Sequence, residues 1–234
     1  MSTFVFVHGG AHGAWCWSPL LPHLEAPALA LDLPGRGKRP ADLATVNAER
    51  FADSVVADIE RAGVSDVILV GHSMAGLTLP RVAARIPERL ERLVFVSCVV
   101  PPEGTKLIDI LDSDVQAMAG EMEVGEVLSS GFSEGVARQM FYNDMDEAQT
   151  RFVLDNLCPE APQILFEAND LAGLAHPIPR TYVRLLRDGS LSQSIQDRCI
   201  AALGELEVVA LDTGHNVMIS NPEALARVLN GYLK

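Results

Sequence analysis

The chain has 234 residues, 48% of them apolar, and its 31 acidic against 18 basic side chains leave a net charge of −13. That length suffices for one sizeable core, and the negative surplus argues against nucleic acid, whose phosphates want a basic surface. No apolar run approaches the ~20 residues needed to span a bilayer, so no membrane partner is expected.

The first residues lead straight into Phe4-Val5-Phe6-Val7 with no basic segment before them, so no secretory signal is visible. Cys16, Cys98, Cys158 and Cys199 are far apart and form no C-x-x-C pair. Free thiols in a reducing compartment are therefore expected, and a cytoplasmic enzyme is the default. Charge is unevenly spread: residues 105–175 hold fourteen Asp/Glu against three Lys/Arg, a net of −11, which leaves −2 for the remainder. Solubility of an exposed insertion explains this most simply, and anionic substrates would be disfavoured near it.

In chain order, residues 3–7 read as a short buried strand. It ends at His8-Gly9-Gly10-Ala11-His12-Gly13, a Gly-rich loop that lets backbone N–H groups approach a ligand, or else a plain tight turn. An amphipathic helix is predicted from near Trp15. A second strand, 28–31, runs into Asp32-Leu33-Pro34-Gly35-Arg36-Gly37, which is turn chemistry without a catalytic role. Residues 45–62 predict a helix with Phe51, Val55, Val56 and Ile59 on one face and Gly63 as its stop.

The apolar run Val67–Val70 then meets Gly71-His72-Ser73-Met74-Ala75-Gly76. A strand turning sharply into a helix presents one side chain at its tip in a strained conformation and needs small neighbours, here Gly71, Ala75 and Gly76. Ser73 then stands as a nucleophile at a helix N-terminus, although a simple capping Ser would give the same local pattern. Pro80 falls inside the following helix, where a kink is expected. Leu93–Cys98 reads as the next strand.

Strand–helix alternation breaks off over residues 105–175, which show helical patches with Met118, Met122, Phe132, Met140, Phe141 and Phe152 among the acids. It resumes with a strand at 180–186, a helix at 194–202 and a strand at 206–211. A last helix follows, capped by Ser220 or Asn221, with Pro222 in its first turn and Leu225, Val228 and Leu229 facing inward. The fold class is therefore α/β: a doubly wound, mostly parallel six-stranded sheet. Residues 1–104 and 176–234 form its core, and 105–175 form an inserted, mainly helical cap over the carboxyl ends of the strands, where ligands bind.

A Ser hydroxyl needs a base within reach. Of the six histidines, His215 follows the last strand, at the sheet end that carries Ser73. The third member is a carboxylate that orients the imidazole. Asp188, after the preceding strand, is preferred over Asp212, which ends its own strand, and over Asp197, which falls on a helix. The order Ser73, Asp188, His215 is that of α/β-hydrolases. Backbone N–H groups of Gly10 and Met74 are the expected oxyanion hole. No cofactor or metal is implied.

On His8-Gly9-Gly10-Ala11-His12-Gly13-Ala14-Trp15, Asp32-Leu33-Pro34-Gly35, Gly71-His72-Ser73-Met74-Ala75-Gly76 and Gly214-His215, the chain resembles the α/β-hydrolase superfamily over essentially its whole length. It looks most like the branch holding plant methyl esterases, hydroxynitrile lyases and small bacterial carboxylesterases. Ala75 stands where that family usually carries Gly. The lyases carry a Thr after the first loop's His and a Lys after the catalytic His. Here those positions are Gly9 and Asn216, so the resemblance favours ester hydrolysis.

The expected activity is cleavage of a small-to-medium apolar carboxylic ester through an acyl-enzyme. Gly9, Phe132, Met140 and Phe152 are expected near the substrate, with cap core as the other role for the three large side chains. Alternatives are a lyase or carbon–carbon bond hydrolase on the same scaffold, or a non-catalytic small-ligand receptor. The expected partner is a small-molecule ester, and the protein a monomer or homodimer.

Overall fold

The computed structural model describes residues 1–111, 116 and 134–234; Met118, Met122 and Phe132 lie outside the described residues. Six strands, β1 (Thr3–Val7), β2 (Ala28–Leu31), β3 (Val67–His72), β4 (Leu90–Val96), β5 (Arg180–Leu185) and β6 (Glu207–Leu211), form one sheet in the order β2-β1-β3-β4-β5-β6. Every pairing is parallel. The chain leaves β1 for one side of the sheet and returns to its other side at β3. The carboxyl ends of β1 and β3 therefore lie side by side at the switch point where such sheets hold ligands. The loops after β5 and β6 leave the same end.

Strand alternation builds two cores. Val5, Val7, Leu69 and Phe95 face one layer, joined by Phe51, Val55 and Ile59 of α1 (Ala48–Ala62), by α2 (Leu79–Arg85) and by Ile195, Cys199 and Leu203 of α5 (Gln193–Leu203). Phe4, Phe6, Ile68, Val70, Val94 and Val96 face the other, against Trp17, Leu20, Val217 and Met218 of α6 (Val217–Ser220), and Leu225 and Leu229 of α7 (Pro222–Asn230). A strand covered on both faces is apolar at every position, which is why these segments read as continuous runs.

Local signals set the helix ends. The Asn47 side chain accepts the Arg50 N–H at 2.8 Å, and Gly63 stops α1 at φ 66°, a left-handed conformation that suits glycine. Asn221 caps α7, with Pro222 in its first turn. Two expectations need correction. After the Gly-rich loop there is no amphipathic α-helix, only 3-10 turns at Ala14–Trp17 and Leu21–His23, because Pro19 and Pro22 break the α-helical ladder. Pro80 does not kink a helix either. Ser73–Leu77 is a separate 3-10 turn, and Pro80 sits in the first turn of α2, where its missing N–H has no intrahelical acceptor to lose.

Within 105–175, α3 (Glu134–Phe141) and α4 (Glu147–Leu154) are α-helical, with 3-10 turns at Ile108–Ile110, Pro162–Phe166 and Ala172–Ala175. The last of these lies hard against α2: a Cβ on Gly173 would stand 1.9 Å from the Pro80 carbonyl oxygen.

Candidate active site

Ser73 follows β3 directly and has φ 54°, in the region that costs a residue with a Cβ about 1–2 kcal/mol. Crowding around it explains the small residues. A Cβ on Gly71 would stand 2.6 Å from Leu79 Cδ1 and 3.0 Å from the Ala75 Cβ, and one on Gly76 would stand 2.1 Å from the Val99 carbonyl oxygen. Ala75 fits within this turn. The Ser73 carbonyl is held by the Val99 N–H at 2.9 Å.

His215, in the loop after β6, has Nε2 3.1 Å from Ser73 Oγ and Nδ1 2.7 Å from Asp188 Oδ2. The carboxylate also accepts the Ser97 hydroxyl at 2.7 Å, and the N–H groups of Ser190 and Leu191 at 2.8 Å each. Burial pushes the Asp188 carboxyl up, but the His215 charge, its hydrogen bond, the Leu191 N–H and the Ser97 hydroxyl together outweigh burial and hold it below its ordinary value. A carboxylate that stays ionised keeps the proton of neutral His215 on Nδ1 and leaves Nε2 free to take one from Ser73. The rivals are engaged elsewhere. Asp212 pairs with Arg187 at 3.0 Å on the surface, and Asp197 pairs with Arg184.

Three further histidines surround this row. His8 Nε2 accepts the Leu33 N–H at 3.2 Å. His72 Nε2 lies 2.9 Å from the His215 carbonyl, an atom that only accepts, so Nε2 carries the proton and Nδ1 is bare. His12 Nδ1 is 2.7 Å from the Gly10 carbonyl and by the same reasoning is protonated. Burial drives His8 down to about 3, His12 to about 4, and His72 well below its usual value. All three are therefore neutral near pH 7.

The cavity above Ser73 is lined by Gly10, His12, Met74, Met140, Leu165 and Leu191, among others, and is largely apolar. Gly10 and Met74 face each other across it: a Cβ on Gly10 would be 3.6 Å from Met74 Cε. Gly9 and Phe152 do not line this cavity. Gly9 lies beneath the nucleophile, where a Cβ would stand 2.8 Å from the Ser73 Cβ, so its role is to let two loops meet. Phe152 packs edge-on against Trp15 at 5.4 Å and belongs to the second core layer. Phe132 lies outside the described residues. The wall residues His12, Phe141, Leu165 and Leu191 carried no sequence signal beyond apolar character or, for His12, membership of the Gly-rich loop. Among the described residues, no cluster of His, Cys, Asp or Glu could hold a metal ion, and no helix is long and apolar enough to cross a membrane.

The chain is similar to a carbendazim hydrolyzing esterase from Nocardioides sp. (strain SG-4G), 28% identical over 252 residues that cover 98% of each chain. It is also similar to Methylesterase 18 of Arabidopsis thaliana, 26% identical over 97% of this chain and 95% of that one. Among solved structures, an extracellular alpha/beta-hydrolase from a Paenibacillus species superposes with a TM-score of 0.86, at 23% identity over 99% of both chains. A family model for the alpha/beta hydrolase family matches residues 4–228, and the chain belongs to that family.

Proposed function

We propose that the protein is a serine esterase acting on small-to-medium apolar carboxylic esters. The observation that carries this reading is the unbroken row Ser73 Oγ, His215 Nε2, His215 Nδ1, Asp188 Oδ2, with spacings of 3.1 and 2.7 Å. Ser73 Oγ attacks the ester carbonyl as His215 Nε2 takes its proton. The tetrahedral oxyanion is met by the N–H groups of Gly10 and Met74. Collapse expels the alcohol, which receives that proton from His215. Water, deprotonated by the same imidazole, then attacks the acyl-enzyme and releases the acid and free Ser73. Asp188 orients the imidazole and balances its transient charge.

Residues 105–175 act as a cap over the core formed by 1–104 and 176–234, supported by the contribution of Leu107, Leu111, Met140, Phe141 and Leu165 to the cavity wall. The apolar wall favours apolar acyl or alcohol groups, and relatives named as esterases favour ester chemistry. Lyase chemistry is disfavoured. Position 9 offers no hydroxyl and no room for a Cβ, and the Asn216 side chain is buried, its amide donating to the Phe141 carbonyl at 3.0 Å. The four unpaired thiols support a cytoplasmic location, and the protein acts as a monomer or homodimer. Ser73→Ala should remove p-nitrophenyl butyrate turnover, by about 10⁴-fold or more, while leaving the thermal midpoint near that of the parent. Retained turnover in that variant would refute the reading.

A further inference from the structure

A second deeply buried ion pair lies outside the catalytic row. Arg36, in the turn after β2, donates from Nη2 to Glu160 Oε1, and both side chains are within 2% of complete burial. Glu160 lies 124 positions away in the chain, within the segment proposed as the cap. Its second oxygen, Oε2, accepts the Ala11 N–H at 2.7 Å, and two residues earlier the Cys158 N–H donates to the Ala11 carbonyl at 2.7 Å. Ala11 is thus held at both its N–H and its C=O by one short stretch of the insertion.

Ala11 needs that hold. Its φ is 55°, a left-handed conformation a residue with a Cβ adopts at a cost, and it immediately follows Gly10. Glu160 Oε2 also presses on Gly10 itself, where a Cβ would stand 3.2 Å away. An unpaired carboxylate there would set a negative charge beside the Gly10 peptide, and pairing with Arg36 offsets it.

From this geometry we propose that the Arg36–Glu160 pair is a clasp that holds the Gly10–Ala11 peptide in the conformation that aims the Gly10 N–H at the oxyanion. Glu160 is then a positioning residue. The cap sets transition-state stabilisation directly as well as roofing the cavity. The proposal rests on the esterase reading above, and Ser73→Ala separates the two. Turnover surviving in that variant sinks the esterase reading, whereas a dead Ser73→Ala beside an unimpaired clasp variant sinks only the clasp.

The test uses R36M/E160M, which removes both charges together. Replacing a buried ion pair with apolar side chains of similar size is often neutral for stability, but here the Ala11 and Ala161 N–H groups also lose their acceptor, so the thermal midpoint should fall by about 5–15 °C. Misaiming an oxyanion donor costs less than the 10²–10³ of deleting one, so kcat for p-nitrophenyl butyrate should fall about 30-fold with KM changed less than about threefold. A trifluoromethyl ketone, which forms a tetrahedral adduct, should lose affinity in parallel with kcat.

A second arm repeats the substitution in an Ala11→Gly background, where φ 55° carries no penalty. There the loss should shrink to about fivefold or less. E160Q, which keeps an acceptor at the Ala11 N–H, should lose less than E160M and gives a readout should the double variant fail to fold. The clasp is overturned if kcat is unchanged in the folded variants. It is equally overturned if kcat falls only in step with stability and the Ala11→Gly background gives no relief.

Discussion

Around Asp188, donors from three loops converge on one carboxylate: the His215 imidazole, the Ser97 hydroxyl and the N–H groups of Ser190 and Leu191. Each loop is anchored by a strand end in the same sheet. The roof above Ser73 is held differently, by polar stitches spread along the insertion and reaching separate points of the core. Asp144 Oδ2 accepts the Gly214 N–H at 2.6 Å, the Asn143 side chain donates to the Arg187 carbonyl at 2.6 Å, and Glu160 holds Ala11 at 2.7 Å. The floor is therefore over-determined, with several bonds fixing one group. The roof stitches are instead spread over separate groups: Asp144 Oδ2 also takes the Ser220 hydroxyl at 2.9 Å, and the Ala11 carbonyl takes the Cys158 N–H at 2.7 Å. Damage to the floor should abolish chemistry without moving the roof, and damage to the roof should retune chemistry that the floor still performs.

The largest effect should come from the floor. Asp188→Asn keeps the shape but presents an amide to His215 Nδ1, which favours the tautomer with its proton on Nε2, where it cannot accept from Ser73. Steady-state kinetics should show kcat lower by about 10³–10⁴-fold, with substrate affinity little altered. A loss below tenfold would mean that this carboxylate does not orient the base.

Acid should attack the floor next. His8, His12 and His72 are held neutral in the folded protein, with values lowered to about 3, about 4 and well below normal, chiefly by burial. In the unfolded chain they protonate near 6.5. As pH falls below that value, the unfolded state binds protons that the native state refuses, so stability falls with pH. Between pH 6.5 and 5 each should contribute about 2 kcal/mol of destabilisation. Denaturant unfolding at pH 7 and pH 5 measures it, and His8→Gln should flatten the dependence. Asp188, whose value is depressed, adds stability above the unfolded carboxylate range and loses it only at lower pH.

The smallest effect should come from the roof. Met140 lines the cavity, and Met140→Ala should raise KM for p-nitrophenyl butyrate about threefold to tenfold while kcat changes little. Longer acyl chains should suffer less or gain. An equal fall in kcat would show that this wall, like the Glu160 clasp, acts on the transition state and not on substrate fit alone.

The same contrast decides what the sequence made legible. Ser73, Asp188 and His215 each follow a segment that folds as a strand, and a parallel sheet brings strand ends together whatever lies between them. Their juxtaposition follows from topology. The strain at Ser73 was legible because Gly71 and Gly76 flank it, where the structure leaves no room for a Cβ. The roof gave no such handle. Glu160 is one acid among fourteen in its segment and reads as solvating charge, yet its partner is Arg36 in a turn that showed no ligand chemistry. Phe152 has the composition of a pocket residue and is turned instead toward Trp15. The helix expected after the Gly-rich loop failed because two prolines outweighed an apolar pattern.

The central claim, covalent catalysis by Ser73, is tested most directly by trapping the acyl-enzyme. The protein is mixed with p-nitrophenyl butyrate, acid-quenched within milliseconds, and its intact mass and peptides are measured. A butyryl group should appear on the peptide carrying Ser73, in step with a burst of p-nitrophenol, and be absent from Ser73→Ala. Steady turnover with no adduct at that residue, undiminished in Ser73→Ala, would contradict the mechanism.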